Sequence, residues 1–115
     1  MHELGIANSI FDAVRSEAER RPGARVSRVG VRVGELSSVD PDALKFSFEV
    51  LVKDTPFSPL PLQIELCPLR HRCPACGNAF VVVDYATVCP HCGERRTECV
   101  GGTELELSFL ELEEP

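Results

Sequence analysis

The sequence has 115 residues and a mass of 12.6 kDa, enough for one ordinary domain or two very small modules, which excludes a large multidomain enzyme. Apolar residues make up 43% and charged residues 26% of the chain, so neither a disordered segment nor a fibrous repeat fits. The net charge of −6 has the wrong sign for a protein that grips phosphate backbones, so we expect no nucleic-acid partner.

The first half of the chain predicts two helices and two strands. Apolar residues recur at helical spacing from residue 3 to about residue 20, and Arg21-Pro22-Gly23 ends this helix. Residues 29–33 alternate valine with polar residues or glycine, as a half-buried strand does. Asp40-Pro41 then supplies an N-cap and a first-turn proline. The helix that follows carries an apolar stripe of Leu44, Phe48 and Leu51, and after a proline-rich loop residues 62–66 alternate as a second strand.

The last predicted strand lies at the far end of the chain, where Leu105, Leu107 and Phe109 alternate with polar residues. A lone strand is marginal in water and has to pair with the earlier ones. We therefore predict an α+β fold in which two helices pack on one three-stranded sheet. The segment between the second and third strands is then an insertion.

Six cysteines occur in the chain, and four of them form two similar motifs in the insertion. Cys73-Pro-Ala-Cys76-Gly77 and Cys89-Pro-His-Cys92-Gly93 each bring two thiolates within reach of one tetrahedral ion, and the glycine permits a positive φ. The apolar run between them, residues 79–88, is typical of the arms of a hairpin. The pattern predicts a rubredoxin-like zinc ribbon. A redox pair and an iron site are the alternatives.

A site of four thiolates has no open coordination position, so the zinc is expected to be structural and its removal to unfold the insertion. Cys67 and Cys99 bracket the ribbon, either as a close pair of thiols or, on the simpler interpretation, as two ordinary buried cysteines. His71 and His91 could each replace a thiolate, but the simpler interpretation places them around the site or in solvent.

Signals of catalysis and secretion are both missing from the sequence. It has no glycine-rich phosphate loop, no nucleophile elbow and no His-Glu pair at catalytic-metal spacing, so we do not expect an enzyme. No stretch reaches the roughly 18 apolar residues of a bilayer span. Glu3 stands where a secretory signal would be basic, so we expect a cytoplasmic protein without a membrane partner.

The N-terminus offers a second metal site. The amine of Met1, the backbone nitrogen of His2 and the His2 imidazole can form fused chelate rings, and nitrogen ligands in one plane suit Ni(II) or Cu(II). Glu3 could add an oxygen ligand or offset the charge of a cation beside a helix N-terminus.

Several motifs together resemble one family. They are, in chain order, Met1-His2-Glu3-Leu4, Val33-Gly34-Glu35-Leu36-Ser37, the helix of residues 41–48, the paired Cys-Pro-x-Cys-Gly motifs, and Gly101-Gly102-Thr103-Glu104-Leu105. Taken in this order over nearly the whole chain, they resemble the HypA/HybF hydrogenase maturation proteins, which are nickel metallochaperones.

The resemblance implies a nickel-binding α+β domain of residues 1–66 plus 100–115 and a zinc-binding ribbon domain of residues 67–99. His2 would be the essential ligand of Ni(2+), with Met1 and Glu3 completing the site. Structural Zn(2+) would be held by Cys73, Cys76, Cys89 and Cys92.

The family also implies partners. Its members deliver nickel to the [NiFe]-hydrogenase large-subunit precursor, work with a HypB-type GTPase, and in some cases serve urease maturation. The alternatives left by the residues themselves are a zinc-ribbon adaptor, which should carry a basic face, and a redox-sensing protein that uses Cys67 and Cys99.

Overall fold

The structure, a computed structural model, describes residues 3–114. Met1, His2 and Pro115 lie outside the described residues. The helices are α1 (Glu3–Arg20) and α2 (Pro41–Val52). The strands are β1 (Arg25–Gly34), β2 (Leu62–Cys67), β3 (Arg70–Arg72), β4 (Ala79–Val81), β5 (Glu98–Gly101) and β6 (Leu105–Glu113).

Both predicted helices form, with boundaries fixed by local sequence. The apolar stripe of α1 is buried at Ala7, Ile10, Phe11 and Val14. Asp40 caps α2, because its carboxylate accepts the backbone N–H groups of Asp42 and Ala43 at 3.0 and 3.3 Å. No helix within residues 3–114 is both long enough and apolar enough to cross a membrane.

The main sheet has the strand order β2-β1-β6. β1 pairs in parallel with β2 and antiparallel with β6. The parallel pair is joined through α2, as parallel strands require a crossover connection. The prediction that the last strand joins the two early strands in one three-stranded sheet is therefore confirmed.

The core lies between this sheet and the two helices. Val29, Val31 and Val33 of β1 are at most 1% exposed. The ring of Phe11 meets those of Phe48 and Phe57 edge-on, with centroids 6.1 and 5.5 Å apart. Each fully buried side chain of this size contributes about 1.5–3 kcal/mol. Of the apolar stripe predicted for α2, Phe48 thus lies at the centre of the core, whereas Leu51 is only half-buried against it.

β6 departs from the simple alternation that its sequence predicts. Gly30 pairs with Phe109 and the next residue of β1, Val31, pairs with Leu107, so Ser108 is an extra residue in a β-bulge. The bulge turns Phe109 to the face away from the helices, where its ring lies against Gly30 and under the guanidinium of Arg28, 5.3 Å from the ring centroid. Phe109 therefore does not share a face with Leu107, because the extra residue reverses the alternation.

The insertion forms a second sheet with the order β4-β3-β5. The run between the two cysteine motifs was expected to form both arms of a hairpin. Only its first arm, β4, is a strand, and β4 pairs with β3 instead. A single bridge joins Val83 to Ala86 across a turn in which Asp84 and Tyr85 have φ of 54° and 61°.

Few apolar residues of the insertion are buried. Between residues 68 and 101 they are Leu69, Cys73, Val82 and Cys89. Such a small core cannot stabilise a domain alone, which is the situation in which a metal site is needed. The domain boundaries of residues 1–66 plus 100–115 and 67–99 stay a prediction, and β5 runs across the second of these boundaries.

Three consecutive backbone N–H groups at the end of β1 hold the points where the chain leaves and rejoins the main sheet. We call residues 34–36 the clasp. Gly34 donates to the Glu104 carbonyl at 2.7 Å, Glu35 to that of Cys67 at 2.8 Å, and Leu36 to that of Gly102 at 2.7 Å. A Cβ on Gly34 would overlap the Gly102 carbonyl, so only glycine allows this close approach.

Candidate metal centre

The first cysteine motif is a tight turn that immediately follows β3. The Cys73 N–H donates to the Asn78 carbonyl at 2.9 Å, and the Gly77 N–H donates to the Cys73 carbonyl at 2.7 Å. Gly77 has φ of 80°, a left-handed conformation that favours glycine. This turn places Cys73 inside and Cys76 at the surface.

The second motif repeats the same turn. The Cys89 N–H donates to the Glu94 carbonyl at 2.9 Å, the Gly93 N–H donates to the Cys89 carbonyl at 2.9 Å, and Gly93 again has φ of 80°. Cys89 is buried and Cys92 is exposed. Two equal turns thus present four sulfur atoms to one another, with one buried and one exposed sulfur from each.

The four sulfur atoms have the spacing of a metal site. All lie within 4.8 Å of one another, and the pairs Cys73–Cys92 and Cys76–Cys89 are 3.5 and 3.7 Å apart. Four thiolates about 2.3 Å from a tetrahedral zinc ion would be about 3.8 Å apart. No disulfide joins them. The geometry and the donor set therefore fit Zn²⁺, and within residues 3–114 this is the single group of three or more metal-capable side chains.

The crowded thiols change one another's ionisation. A hydrogen bond with the Asn78 backbone, aided by the neighbouring thiols, lowers the pKa of Cys76 to about 6. At Cys92 a hydrogen bond with the Glu94 backbone lowers the pKa, but the neighbouring thiols, Cys73 first, and desolvation outweigh it and raise the pKa to about 12. Protein groups alone therefore favour a mixture of thiols and thiolates, whereas a bound divalent cation favours four thiolates.

Polar groups around the sulfur atoms support negative charge on them. The Asn78 side-chain amide donates to Cys76 Sγ at 3.4 Å, and the His91 backbone N–H donates to Cys89 Sγ at 3.4 Å. Such donors orient metal-bound thiolates and stabilise their charge. The spacing of the cysteines predicts the cluster, but it does not reveal the role of Asn78.

The remaining metal-capable side chains of the insertion are not part of the cluster. His71 Nδ1 lies 2.9 Å from Thr97 Oγ1, whose hydroxyl donates to the Thr87 carbonyl at 2.6 Å, so the imidazole donates at Nδ1. The side chain of His91 is exposed. Both histidines therefore agree with the simpler interpretation, in which they lie around the site or in solvent and do not replace a thiolate.

Cys67 and Cys99 occupy different environments. Cys67 is buried at the end of β2, whereas Cys99 is exposed on β5, and both are free thiols. Only one of the two is thus the ordinary buried cysteine that the simpler interpretation predicts. Cys99 pairs in register with His71 across the second sheet.

Of the predicted nickel ligands, Met1 and His2 lie outside the described residues. Glu3 begins α1, and its Oε2 accepts the Asp40 N–H at 3.1 Å. This hydrogen bond is the main reason why the pKa of Glu3 is below its ordinary value. It ties the start of α1 to the N-cap of α2, a link between residues 37 positions apart for which the sequence carries no signal.

Comparison with known proteins identifies the family. Residues 1–112 match the family model described as hydrogenase/urease nickel incorporation, metallochaperone, HypA. The chain is 36% identical to the hydrogenase maturation factor HypA of Chlorobaculum parvum, over 98% of this chain and 100% of that protein. It is 39% identical to the HypA of Geobacter metallireducens over the same shares. It is 35% identical to the hydrogenase maturation factor HybF of Klebsiella pneumoniae, over 96% of this chain and 98% of that one.

Solved structures share the fold. The solution structure of the Ni metallochaperone HypA from Helicobacter pylori matches with a TM-score of 0.66 at 24% identity, over the full length of both chains. A second match, to a solution structure of a HypA protein, has a TM-score of 0.72 at 24% identity and covers 97% of this chain and 96% of the other. Together with the family model and the sequence relatives, these matches show that the chain belongs to the HypA family of hydrogenase-maturation nickel metallochaperones, which are not enzymes.

Proposed function

We propose that this protein binds Ni(II) through His2, with Met1 and Glu3 completing the site, and delivers the ion to the large-subunit precursor of [NiFe]-hydrogenase. The observation that carries the proposal is the match to the nickel-incorporation family, which begins at residue 1 and so includes His2. The residues agree with it chemically, because an imidazole next to a backbone nitrogen offers the nitrogen ligands that Ni(II) favours.

Glu3 supports this site in a second way. Its hydrogen bond from Asp40 links the first turn of α1 to the start of α2. The carboxylate also carries negative charge at a helix N-terminus, where it offsets the repulsion between the helix dipole and a cation. Through this charge Glu3 would favour a cation at the helix N-terminus, in addition to being a candidate ligand.

Delivery requires a site that releases its ion. A chelate at the end of the chain exposes nickel to the ligands of a partner, and protonation of its nitrogen donors weakens it without unfolding the core. We expect a partner to dock beside α1 and to replace the nitrogen ligands one at a time. The partners would be the hydrogenase precursor and a HypB-type GTPase, in some cases urease maturation factors, and the site of action the cytoplasm.

We further propose that Cys73, Cys76, Cys89 and Cys92 hold a structural zinc ion. The sulfur spacing and the donors to Cys76 and Cys89 support this assignment. The bound ion would supply cross-linking of the two turns and no catalytic chemistry, because four thiolates leave it no open position.

The test is a Ni(II) titration with a parallel zinc determination, on untagged protein and on its His2→Ala variant, followed by transfer of nickel to a hydrogenase precursor. The proposal expects one zinc ion in both proteins, and both nickel binding and transfer only in the parent. His91→Ala is the matched control, since it removes a different histidine, one that is exposed in the ribbon, and should leave nickel binding unchanged.

Nickel transfer by the His2→Ala variant at the parent's rate would overturn the nickel proposal. Equal nickel binding by both proteins, lost in His91→Ala, would move the site into the ribbon. Zinc retained after Cys73→Ser and Cys89→Ser together would refute the zinc assignment.

A further inference from the structure

β6 is a long strand with one unpaired edge. It has nine residues and lies at the end of the order β2-β1-β6, so within residues 3–114 it pairs with β1 alone. Exposed sheet edges of this length are templates on which another strand can add.

The hydrogen-bonding groups on the open edge can be assigned. The Gly34 N–H donates to the Glu104 carbonyl, so the backbone groups of Glu104 point toward β1. Because these groups alternate along an antiparallel strand, those of Leu105 and Leu107 point away from β1. They are the donors and acceptors that an added strand would meet first.

An apolar groove runs beside this edge on the side of the helices. It has a volume of about 290 Å³ and lies between α1, at Ile6, Ser9 and Ala13, and β6, at Leu105 and Leu107. The two leucines are 41% and 38% exposed. Apolar side chains of an added strand would be buried in this groove.

The other face of β6 is acidic. Glu106 and Glu111 lie there, 2.8 and 2.6 Å from the guanidinium groups of Arg32 and Arg28 of β1. Glu113 and Glu114 continue the acidic run beyond them and are exposed. An added strand would therefore meet leucines on one face and carboxylates on the other.

β1 shows what kind of strand suits β6. It carries valines on the helix side and arginines on the opposite face, in register with the leucines and glutamates of β6. A strand presents the same side chains toward both of its edges, so the open edge favours the same pattern. A β6 from a second copy of the chain would bring glutamates against glutamates, which is unfavourable.

We propose that the open edge of β6 binds an extended segment of a partner protein in which apolar and basic residues alternate, by adding it as a fourth strand of the main sheet. The apolar residues enter the groove beside α1, and the basic residues meet Glu106 and Glu111. The inference rests on the main sheet and on the groove between β6 and α1, and it does not depend on the nickel site.

The experiment uses the full-length protein and a fluorescein-labelled nonapeptide that copies residues 25–33, Arg-Val-Ser-Arg-Val-Gly-Val-Arg-Val. A control peptide has glutamate in place of each arginine. Fluorescence anisotropy should show that the basic peptide binds at least about tenfold more tightly, because several cross-strand charge pairs change sign. Amide exchange followed by NMR should show new protection at Leu105 and Leu107 and unchanged protection in β1.

Two lysine variants and a matched control locate the site. Leu107→Lys, and Ser9→Lys on the α1 side of the groove, should each weaken binding by about tenfold or more by placing a charge there. Leu66→Lys changes a leucine of β2 that is 65% exposed at the other edge of the sheet, and it should bind as the parent does.

Equal binding of the two peptides would overturn the proposal, as would no binding of either. New protection in β2 or in the second sheet would do the same, and so would an equal effect of Leu66→Lys. A dimer in sedimentation velocity without peptide, abolished by Leu107→Lys, would place a second copy on this edge instead.

Discussion

Replacing Gly30 with alanine should destabilise the protein, because a neighbouring aromatic ring already occupies the space above this glycine. A Cβ at position 30 would overlap Cδ1 and Cε1 of Phe109. The ring is 36% exposed, so it can move outward into solvent while the backbone of β1 stays in place. The cost is therefore that of displacing the ring.

The size of this cost follows from the burial of the ring. A phenylalanine of which about two-thirds is buried covers roughly 130 Å², and losing half of that area costs about 1.6 kcal/mol. Losing the contact with the Arg28 guanidinium adds about 0.5 kcal/mol. Removing a glycine from a strand returns about 0.5 kcal/mol, so the expected net loss is about 1.5 kcal/mol.

The energetic coupling between positions 30 and 109 can be measured by urea unfolding of four proteins: the parent, Gly30→Ala, Phe109→Ala and the double variant. In the Phe109→Ala background the clash is absent, so Gly30→Ala should be neutral or slightly stabilising. Gly5→Ala is the control, since nothing lies within 4 Å of a Cβ on Gly5. It should stabilise α1 by up to about 1 kcal/mol. An equal cost of Gly30→Ala in both backgrounds would refute the reasoning.

Three further changes test other parts of the structure. Asp40→Ala should lower the free energy of unfolding by about 1 kcal/mol through loss of the α2 cap, and Asp40→Asn by less; equal losses in urea unfolding would argue against capping. The hydrogen bond from Asp40 lowers the pKa of Glu3, so the carboxylate stabilises the fold above its ordinary pKa of 4.5 and this contribution is lost as the pH falls through the lowered value. Glu3→Gln should therefore lose less stability than the parent below pH 4.5 in thermal melts; parallel curves would contradict this. Removing metal with a chelator should abolish amide protection in β3, β4 and β5 and preserve it in α1 and α2, whereas global loss of protection would show that the main sheet depends on the metal.

Much of the architecture could be predicted because the signals are local. The apolar spacing of α1, the Asp40-Pro41 start of α2 and the repeated Cys-Pro-x-Cys-Gly turns each depend on residues close together in sequence. The same locality explains why the cysteine cluster could be predicted. Each turn brings its own two sulfur atoms together, so the cluster requires only that the two turns meet.

The features that could not be predicted depend on distant or very short pairings. β3 and β5 have three and four residues, and Arg70-His71-Arg72 shows no apolar alternation. The bulge at Ser108 is set by the match between β6 and β1, so the sequence of β6 alone suggests an unbroken alternation. The hydrogen bond between Glu3 and Asp40 likewise exists only once α1 and α2 have packed.

The clasp affects how strongly the ribbon binds its metal. Because Gly34, Glu35 and Leu36 hold both ends of the insertion, a ribbon that has lost its metal is a closed loop of about 30 residues with fewer conformations than a free chain of that length. Closing such a loop costs about 3 kcal/mol of conformational entropy, and the clasp imposes this cost before any metal binds. The affinity of the ribbon for its metal therefore depends partly on the three backbone hydrogen bonds of the clasp, although none of the four metal-binding cysteine residues takes part in them. Opening the clasp should raise the dissociation constant of the ribbon for zinc by up to about a hundredfold, although all four cysteines would be intact.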